Sequence, residues 1–395
     1  MGVSEVETLN WTLVRNGRMH PEKFVLFCAG EDSGDVLGES LVREAIHLGF
    51  AARGVGGGRM QASGLEAVDD YETLPVSGFL DVFPRVFRLK RILSHLECLL
   101  ESEDCVALVC IDYPGFNMKL VRMAERLQKP ALYVAPPQAW AWKRNRVKYL
   151  RKTRLAVLFE FERKFFVKHG CNAECLQHPF SRVVGNNSNG SLILLPGSRK
   201  SQALRNLPFF TEVALRWHYS NPSGKAVVLA SRASLAESFT RALRKSFGQV
   251  LPDWLSVEIP PQGAGARAAM FSGYSYALSA PGSASLELAL SGVPLVVAGV
   301  IEPLTFFVGS RFVKTKFFAL PNILLQRGAI PEYFFTRGRS SQKISAELVA
   351  GTLCKRDTET SRAIADALDD TFENAKGPES LMLEFLGKFV KSESH

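Results

Sequence analysis

Residues 279–287, SAPGSASLE, have the composition of a nucleotide-binding turn. An apolar run precedes them, so we predict that a strand ends here, small residues turn the chain and a helix begins near Ser285. The N-terminus of such a helix suits a diphosphate, Gly282 lets the backbone approach it, and Ser283 and Ser285 add hydroxyl donors. Glu287 would then reach the two hydroxyls of a ribose. The alternative is that Glu287 is a capping acid at a helix start.

Asp112 follows the apolar run from Val106 to Ile111, at the point where a parallel strand would end. A carboxylate in that position faces the ligand cleft and could accept the proton of an attacking hydroxyl as a general base. The alternative is an aspartate that caps the helix beginning after Pro114. The local sequence does not choose between these two roles.

Two further loops with polar groups also follow apolar runs. The loop of residues 30–35, GEDSGD, contains three acids, so we expect Glu31 and its neighbours to contact an acceptor or a hydroxyl rather than a phosphate. The loop of residues 195–199, LPGSR, ends in Ser198 and Arg199, and the arginine fork suits a phosphate or a carboxylate. The alternatives are a plain strand-to-helix turn and an exposed surface arginine.

Two segments combine cations with large apolar side chains. Residues 79–91, FLDVFPRVFRLKR, contain these candidate membrane and acceptor contacts: Phe79, Phe83, Val86, Phe87, Arg88 and Arg91. Such a segment can bury apolar side chains in lipid beneath cations at the headgroups, or it can be a helix packed on its own core. Residues 140–154, WAWKRNRVKYLRKTR, suit a membrane interface or a nucleic acid, with a solvated helix face as the alternative.

Apolar runs and longer helical patterns alternate along the whole chain, which predicts α/β layers. The runs are apolar throughout, as is typical of parallel strands covered on both faces. The predicted strands are residues 23–29, 106–111, 131–134 and 155–159, then 192–195, 226–230, 276–279 and 294–300. The polar stretch 181–190 separates the two groups. We therefore predict two Rossmann-like domains that face a cleft at the carboxyl ends of their strands.

Composition restricts the class of protein and of partner. The formal net charge of +9 suits an anionic partner, whether nucleic acid, phosphate or an anionic bilayer. The seven cysteines form no CxxC pair and the histidines no HExxH motif, which indicates a reducing compartment and no metal site. The N-terminus is unlike a secretory signal, and every apolar run is shorter than the roughly 20 residues of a spanning helix. Any membrane contact is expected to be peripheral.

Nine short pieces of the chain, in this order, resemble the lipid-A-disaccharide synthase family. They are residues 29–35 (AGEDSGD), 54–61 (GVGGGRMQ), 111–117 (IDYPGFN), 140–142 (WAW), 161–162 (FE), 178–179 (HP), 194–199 (LLPGSR), 282–287 (GSASLE) and 320–322 (LPN). Each piece is weak alone, but their common order is specific, and they extend over most of the chain.

The resemblance implies a glycosyltransferase of the B-type fold that inverts configuration without a metal or cofactor. Its donor would be UDP-2,3-diacylglucosamine and its acceptor 2,3-diacylglucosamine 1-phosphate. The products would be a β-1,6-linked lipid A disaccharide 1-phosphate and UDP. By the resemblance, Asp112 is the base and Glu31 the cleft-facing acid, while Arg199, the 282–285 turn, Glu287 and Asn322 bind UDP. It also implies a bacterial homodimer, bound peripherally to the inner face of the cytoplasmic membrane.

With this resemblance, the chain divides into four predicted parts. Residues 1–22 are an N-terminal extension and residues 23–185 an acceptor and membrane-facing domain. Residues 186–375 are a UDP-sugar-binding domain and residues 376–395 a helical tail. The sequence departs from the family pattern at Asp32, Gly115, Gln202, Pro281 and Phe335. These departures bear on acyl-chain preference and on donor contacts.

Two other functions compete with this interpretation. A UDP-N-acetylglucosamine epimerase or a peptidoglycan-type transferase would share the nucleotide features without needing residues 79–91. A basic nucleic-acid-binding protein would use Trp140, Trp142 and the cations after them, but it would leave the cleft motifs unexplained.

Overall fold

The first domain is built on a seven-stranded parallel sheet. A computed structural model describes residues 23–69, 82–140, 144–178, 190–261, 263–301, 317–336, 339–372 and 375–390, together with residues 180, 183 and 185. The strands are β1 (Phe24–Ala29), β2 (Ala51–Val55), β3 (Glu66–Ala67), β4 (Cys105–Ile111), β5 (Ala131–Val134), β6 (Arg154–Val157) and β7 (Ala173–Cys175). Their spatial order is β3-β2-β1-β4-β5-β6-β7.

Helices cover this sheet. They are α1 (Asp32–His47), α2 (Gly58–Ala62), α3 (Val82–Glu101), α4 (Pro114–Arg126) and α5 (Glu160–Lys168), with a short 3₁₀ helix at Arg144–Tyr149. All six residues of β1 are buried, as are residues 107–111 of β4. Apolar groups pack on both faces of the sheet, which explains why these strands read as continuous apolar runs.

The second domain repeats the plan with six parallel strands. They are β8 (Leu192–Leu195), β9 (Ala226–Leu229), β10 (Leu255–Glu258), β11 (Tyr276–Ser279), β12 (Leu295–Ile301) and β13 (Glu332–Thr336), in the spatial order β10-β9-β8-β11-β12-β13. The helices are α6 (Lys200–Ser220), α7 (Ala233–Phe247), α8 (Ala264–Ser272), α9 (Ser283–Leu290), α10 (Leu320–Leu325), α11 (Arg339–Cys354) and α12 (Thr358–Asp369), and a 3₁₀ turn follows at Asp370–Phe372. The predicted pair of parallel α/β domains is confirmed.

The last helix, α13 (Pro378–Val390), returns to the first domain. Its buried face packs against α1, with Leu381, Met382, Phe385 and Leu386 in the core of the first domain. The chain crosses over at Lys376, where the N–H of Gln177 donates to the Lys376 carbonyl at 2.7 Å. Helix α13 therefore completes the hydrophobic core to which β1 and α1 contribute.

Among the described residues, no helix is long and apolar enough to cross a membrane.

Candidate active site

Loops from both domains meet at the carboxyl ends of the two sheets. The loops after β1 and β4 are joined by a hydrogen bond from Ser33 Oγ to Asp112 Oδ2, 3.3 Å long. In the second domain, the N–H of Ala280 donates to the Leu195 carbonyl at 2.8 Å, which places the loops after β8 and β11 side by side. The loops that carry the predicted motifs therefore lie side by side at the carboxyl ends of the strands in each domain.

The backbone at Asp112 has a left-handed conformation, with φ +48°, and Tyr113 follows with φ +46°. Such a conformation costs a non-glycine residue about 1–3 kcal/mol and persists only when its surroundings enforce it. Here the side chains of Asn117 and Tyr133 both donate to the Asp112 carbonyl at 2.9 Å. Asn117 also donates to the Cys28 carbonyl at 3.1 Å, which ties the end of β1 to this turn.

The carboxyl group of Asp112 is suited to accept a proton near neutral pH. Burial and the negative charge of Glu31 raise its pKa to about 6, although the Tyr113 N–H, Arg199 and Ser33 act in the opposite direction. Tyr113, not Asp112, is the N-cap residue of α4. The alternative in which Asp112 caps this helix is therefore wrong, and a general base remains the prediction for its carboxyl group.

An ion pair crosses the cleft beside this carboxyl group. Arg199 Nη2 donates to both carboxylate oxygens of Glu31, at 2.8 and 2.7 Å. The Arg199 side chain is 58% exposed and that of Glu31 24%. Water therefore screens the pair, which contributes less than about 1 kcal/mol. Arg199 can leave Glu31 for a stronger anion at little cost.

Asp35, another acid of the loop at residues 30–35, has a structural role. It is buried and accepts the backbone N–H groups of Arg59 and Met60, each at 3.1 Å. These bonds hold the start of α2, and a Cβ at Gly57 would lie 2.5 Å from the Asp35 carboxyl carbon. Residues 29–35 and 54–61, two of the pieces that resemble the family, therefore pack against each other.

The turn before α9 has the predicted form, although the helix begins at Ser283, two residues before the predicted start. Ser285 is buried and its hydroxyl donates to the Gly282 carbonyl at 2.7 Å, so this side chain stabilises the turn. Gly282 is exposed and Ser283 is half-buried. Across the neighbouring loop, Ser198 is exposed. Gly282, Ser283 and Ser198 are therefore accessible from solvent, whereas Ser285 is not.

Glu287 is the fifth residue of α9, which is too far along the helix for a capping box. Arg267 of α8 donates through Nε to its Oε2 at 3.0 Å, and the side chains of Arg267 and Glu287 are 7% and 14% exposed, respectively. Burial raises the pKa of Glu287 to about 7, whereas Arg267 and, from the first domain, Arg59 lower it. A carboxylate held this way can accept hydrogen bonds from hydroxyl groups.

Asn322 lies in the core of the second domain and is fully buried. Its Nδ2 donates to the Ile330 carbonyl at 2.7 Å and to Glu332, while its Oδ1 accepts the Ile330 N–H at 2.8 Å. Both donors of the amide are thus used. Asn322 fixes the loop before β13, and any contact of its N–H groups with a ligand would require these bonds to break.

An interdomain cleft of about 1360 Å³ is lined by several residues to which the sequence motifs assign no role. Its lining includes Arg43, Gly58, Arg59, Ser231, Arg232 and Arg267. Arg59 stood within a recognised piece but carried no assigned role. The only signal for Arg267 was a cation in the otherwise small and apolar helix AGARAAMFS.

The pieces WAW and FE are linked by a buried hydrogen bond. Trp140 Nε1 donates to Glu162 Oε1 at 3.0 Å, and the N–H of Leu158 donates to the other oxygen at 3.3 Å. Burial raises the pKa of Glu162 to about 7, although these donors oppose it. Trp142, the second tryptophan, lies outside the described residues.

Residues 82–91 of the cationic, apolar segment form the start of α3. Phe87 is 70% exposed, and Arg88 and Arg91 are exposed beside it. Later residues of the same helix, among them Ile92 and Leu96, are buried in the core of the first domain. This helix therefore packs on its own domain and also presents side chains to solvent. Phe79 lies outside the described residues, as do the side chains of Phe83 and Val86.

The departures from the family pattern are spread over the cleft and the core. Gly115 is exposed in the first turn of α4, and Gln202 lies in the first turn of α6. Pro281 precedes the α9 turn, Phe335 packs beside the second core, and the side chain of Asp32 lies outside the described residues. Within the described part of the chain, no group of three or more His, Cys, Asp or Glu could hold a metal ion.

Comparison with known proteins identifies the relatives of this chain. A family model described as lipid-A-disaccharide synthetase matches residues 25–381. The lipid-A-disaccharide synthase of Geobacter metallireducens is 31% identical over 349 residues, covering 83% of this chain and 87% of that protein. That of Gluconobacter oxydans is 32% identical over 385 residues, covering 91% and 87%.

Solved structures share the fold at much lower identity. Staphylococcus aureus MnaA, in a co-structure with UDP, has a TM-score of 0.62 at 10% identity and covers 94% of this chain and 98% of its own. Arabidopsis thaliana UGT89C1 has a TM-score of 0.57 at 13% identity, with coverages of 93% and 99%. At these identities the likeness concerns the fold alone.

Proposed function

The chain belongs to the lipid-A-disaccharide synthase family, which makes it a hexosyltransferase of the glycosyltransferase B fold, and on that premise we propose the roles of its residues. The donor is UDP-2,3-diacylglucosamine and the acceptor is 2,3-diacylglucosamine 1-phosphate. The observation that carries the proposal is the position of Asp112, bonded to Ser33 and next to the Glu31–Arg199 pair.

Asp112 is the general base of the transfer. Its carboxylate accepts the proton of the acceptor's 6-hydroxyl while that oxygen attacks C1 of the donor sugar. The bond from C1 to the diphosphate oxygen breaks as the new bond forms on the opposite face, so the configuration at C1 inverts. The products are the β-1,6-linked disaccharide 1-phosphate and UDP, and the electron pair of the broken bond remains on UDP.

Arg199 stabilises the leaving diphosphate. Its guanidinium moves from Glu31 to the phosphate oxygens, because the exposed ion pair is weak and the diphosphate carries more charge. Ser198 and the N–H groups at the start of α9 complete the contact. Once Arg199 has left, Glu31 keeps its full negative charge beside Asp112, which strengthens the base when the donor is bound.

Glu287 binds the ribose hydroxyls, and Asn322 acts by fixing the loop before β13. Ser285 supports the turn through its bond to Gly282. Among the candidate lipid contacts, the described side chains of Phe87, Arg88 and Arg91 face solvent and suit the surface of an anionic bilayer. We assign the enzyme to the inner face of the cytoplasmic membrane as a peripheral homodimer.

The competing functions are not favoured by these relatives. The family model and the curated relatives name one activity, that of lipid-A-disaccharide synthase. A nucleic-acid-binding role would leave the paired loops around Asp112 without a purpose.

A turnover assay tests the proposed function. Purified protein receives UDP-2,3-diacylglucosamine and radiolabelled 2,3-diacylglucosamine 1-phosphate in detergent with EDTA, and thin-layer chromatography resolves the product. A labelled disaccharide is expected. If folded protein gives no product with several acyl lengths but acts on an unacylated UDP sugar, the substrate assignment is wrong.

A further inference from the structure

Arg267 is a buried cation beside the proposed donor site that none of the recognised motifs contains. Only 6% of the residue is exposed, although its side chain lines the interdomain cleft. Its Nε donates to Oε2 of Glu287 at 3.0 Å. Its Nη2 is buried and has no hydrogen-bond partner within the described part of the chain. A buried donor without an acceptor destabilises the folded protein, and a ligand acceptor bonded to it would remove this cost.

The single hydrogen bond between Arg267 and Glu287 leaves part of the hydrogen-bonding capacity of both side chains unused. Nε and Nη2 share one edge of the guanidinium, and a carboxylate can accept from both at once. Glu287 accepts only from Nε. The pair therefore combines an unused donor on Arg267 with unused acceptor sites on the Glu287 carboxylate.

A hydroxyl group matches this combination because it donates and accepts at the same time. It can donate its proton to Glu287 and accept from Arg267 Nη2. A carbonyl oxygen satisfies only the arginine, and an ammonium group satisfies only the carboxylate. A vicinal diol offers two such hydroxyls at neighbouring positions.

We propose that Arg267 is a positioning residue for the donor, which together with Glu287 recognises the 2′- and 3′-hydroxyls of the uridine ribose. The inference rests on the proposed function, which assigns a UDP donor to this side of the cleft. It assigns a role to a residue outside the matching pieces and explains why a cation is buried in α8.

The surrounding charges agree with this role. The cations that act on Glu287 are Arg267 and Arg59, and both favour its ionised form. His178, which is buried nearby, stays neutral because burial and the charge of Arg267 lower its pKa to about 3. Arg267 is therefore the bonded partner that keeps Glu287 ionised and oriented for a hydroxyl.

Calorimetric titration of the full chain with UDP and with 2′-deoxyuridine 5′-diphosphate tests the inference. The native protein is expected to bind UDP tighter by about tenfold or more, since the lost hydroxyl contacts charged groups. Arg267→Met should weaken UDP and bring the ratio of the two affinities close to one. Arg241→Met, an exposed change on α7, should leave the ratio unchanged.

Further variants separate a positioning role from a structural one. If Arg267 and Glu287 bind the hydroxyls as one unit, the double variant Arg267→Met/Glu287→Gln should lose less of the affinity ratio than the two single losses added together. A native-like ratio in folded Arg267→Met overturns the inference. Arg267→Lys keeps the charge but lacks the fork, so a native-like ratio there also overturns it, even if the methionine variant does not fold.

Titration of the native protein distinguishes the role of the Arg267–Glu287 pair from the assignment of UDP as the donor nucleotide. Binding of UDP with no preference over the deoxy analogue would overturn the role of the pair, including the ribose contact of Glu287, but leave the proposed reaction and its donor intact. If UDP does not bind at all, the donor assignment is wrong and the inference fails with it.

Discussion

At Asp112, the backbone strain and the environment of the carboxyl group point to the same chemical task. A positive φ is held by side-chain bonds from Asn117 and Tyr133, while burial and Glu31 raise the carboxyl pKa to about 6. An ordinary aspartate titrates near 3.9 and would be a weaker base. The fold thus maintains a strained turn and a partly desolvated acid at one residue, which is typical of catalytic positions.

Replacing the proposed base should abolish most of the activity without affecting the fold. Asp112→Asn is expected to lower kcat by roughly 10²- to 10⁴-fold, because the amide cannot accept the hydroxyl proton. UDP affinity, measured by calorimetry, should stay native-like. In the native enzyme, kcat/KM should fall as the pH drops through about 6, since the protonated carboxyl group is inactive. Near-native turnover in the variant would refute the assignment.

Glu31 offers a second prediction at a single residue. Glu31→Gln removes the anion that holds Arg199, so UDP should bind about two- to fivefold more tightly. It also removes a charge that raises the Asp112 pKa, so the acidic limb of the kcat/KM profile should move to lower pH. Glu44→Gln, on the helix that Glu31 immediately precedes, is the control. Unchanged or weaker UDP binding would contradict the exchange of Arg199 between Glu31 and diphosphate.

At the scale of elements, the sequence predicts best where one physical cause dominates. Strands such as Ala131–Val134 and Leu192–Leu195 match their predicted bounds, because a strand buried on both faces must be apolar throughout. Strands that are not continuous apolar runs were not predicted. Ala51–Val55 contains an arginine and a glycine, and Glu66–Ala67 has only two exposed residues at the sheet edge. Their place depends on pairing with β1 and β2, which no local pattern encodes.

Helix α3 should carry membrane binding through the exposed residues at its start. Phe87→Ser is expected to reduce co-sedimentation with vesicles containing anionic lipid, since the side chain is 70% exposed among cations. Replacing Phe83 and Val86 as well should strengthen the effect. Leu348→Ser is the matched control, because Leu348 is 53% exposed on a helix of the second domain. Equal loss in both variants, or none in either, would exclude this helix as the docking element.

At the scale of the whole molecule, the site depends on contacts between distant parts of the chain. The motifs predicted which loops carry Glu31 and Arg199, but not their ion pair, because 168 positions separate them. Arg267 and Glu287 face a similar limit, since their bond depends on how α8 packs against α9. Local composition identifies strand ends and turns. It cannot specify which side chains from separate elements become partners.

The return of α13 to the first domain gives a prediction at this largest scale. Phe385 is 6% exposed in the core shared with α1, so Phe385→Ala should destabilise the first domain by about 3–5 kcal/mol. Leu383→Ala, on the same helix but 56% exposed, should have little effect. Amide hydrogen exchange should rise in α1 and β1 of the Phe385 variant, although this change lies at the other end of the chain. UDP affinity should remain native-like because the proposed donor contacts lie in the second domain. Faster exchange confined to the second domain would show that α13 stabilises a different part of the molecule.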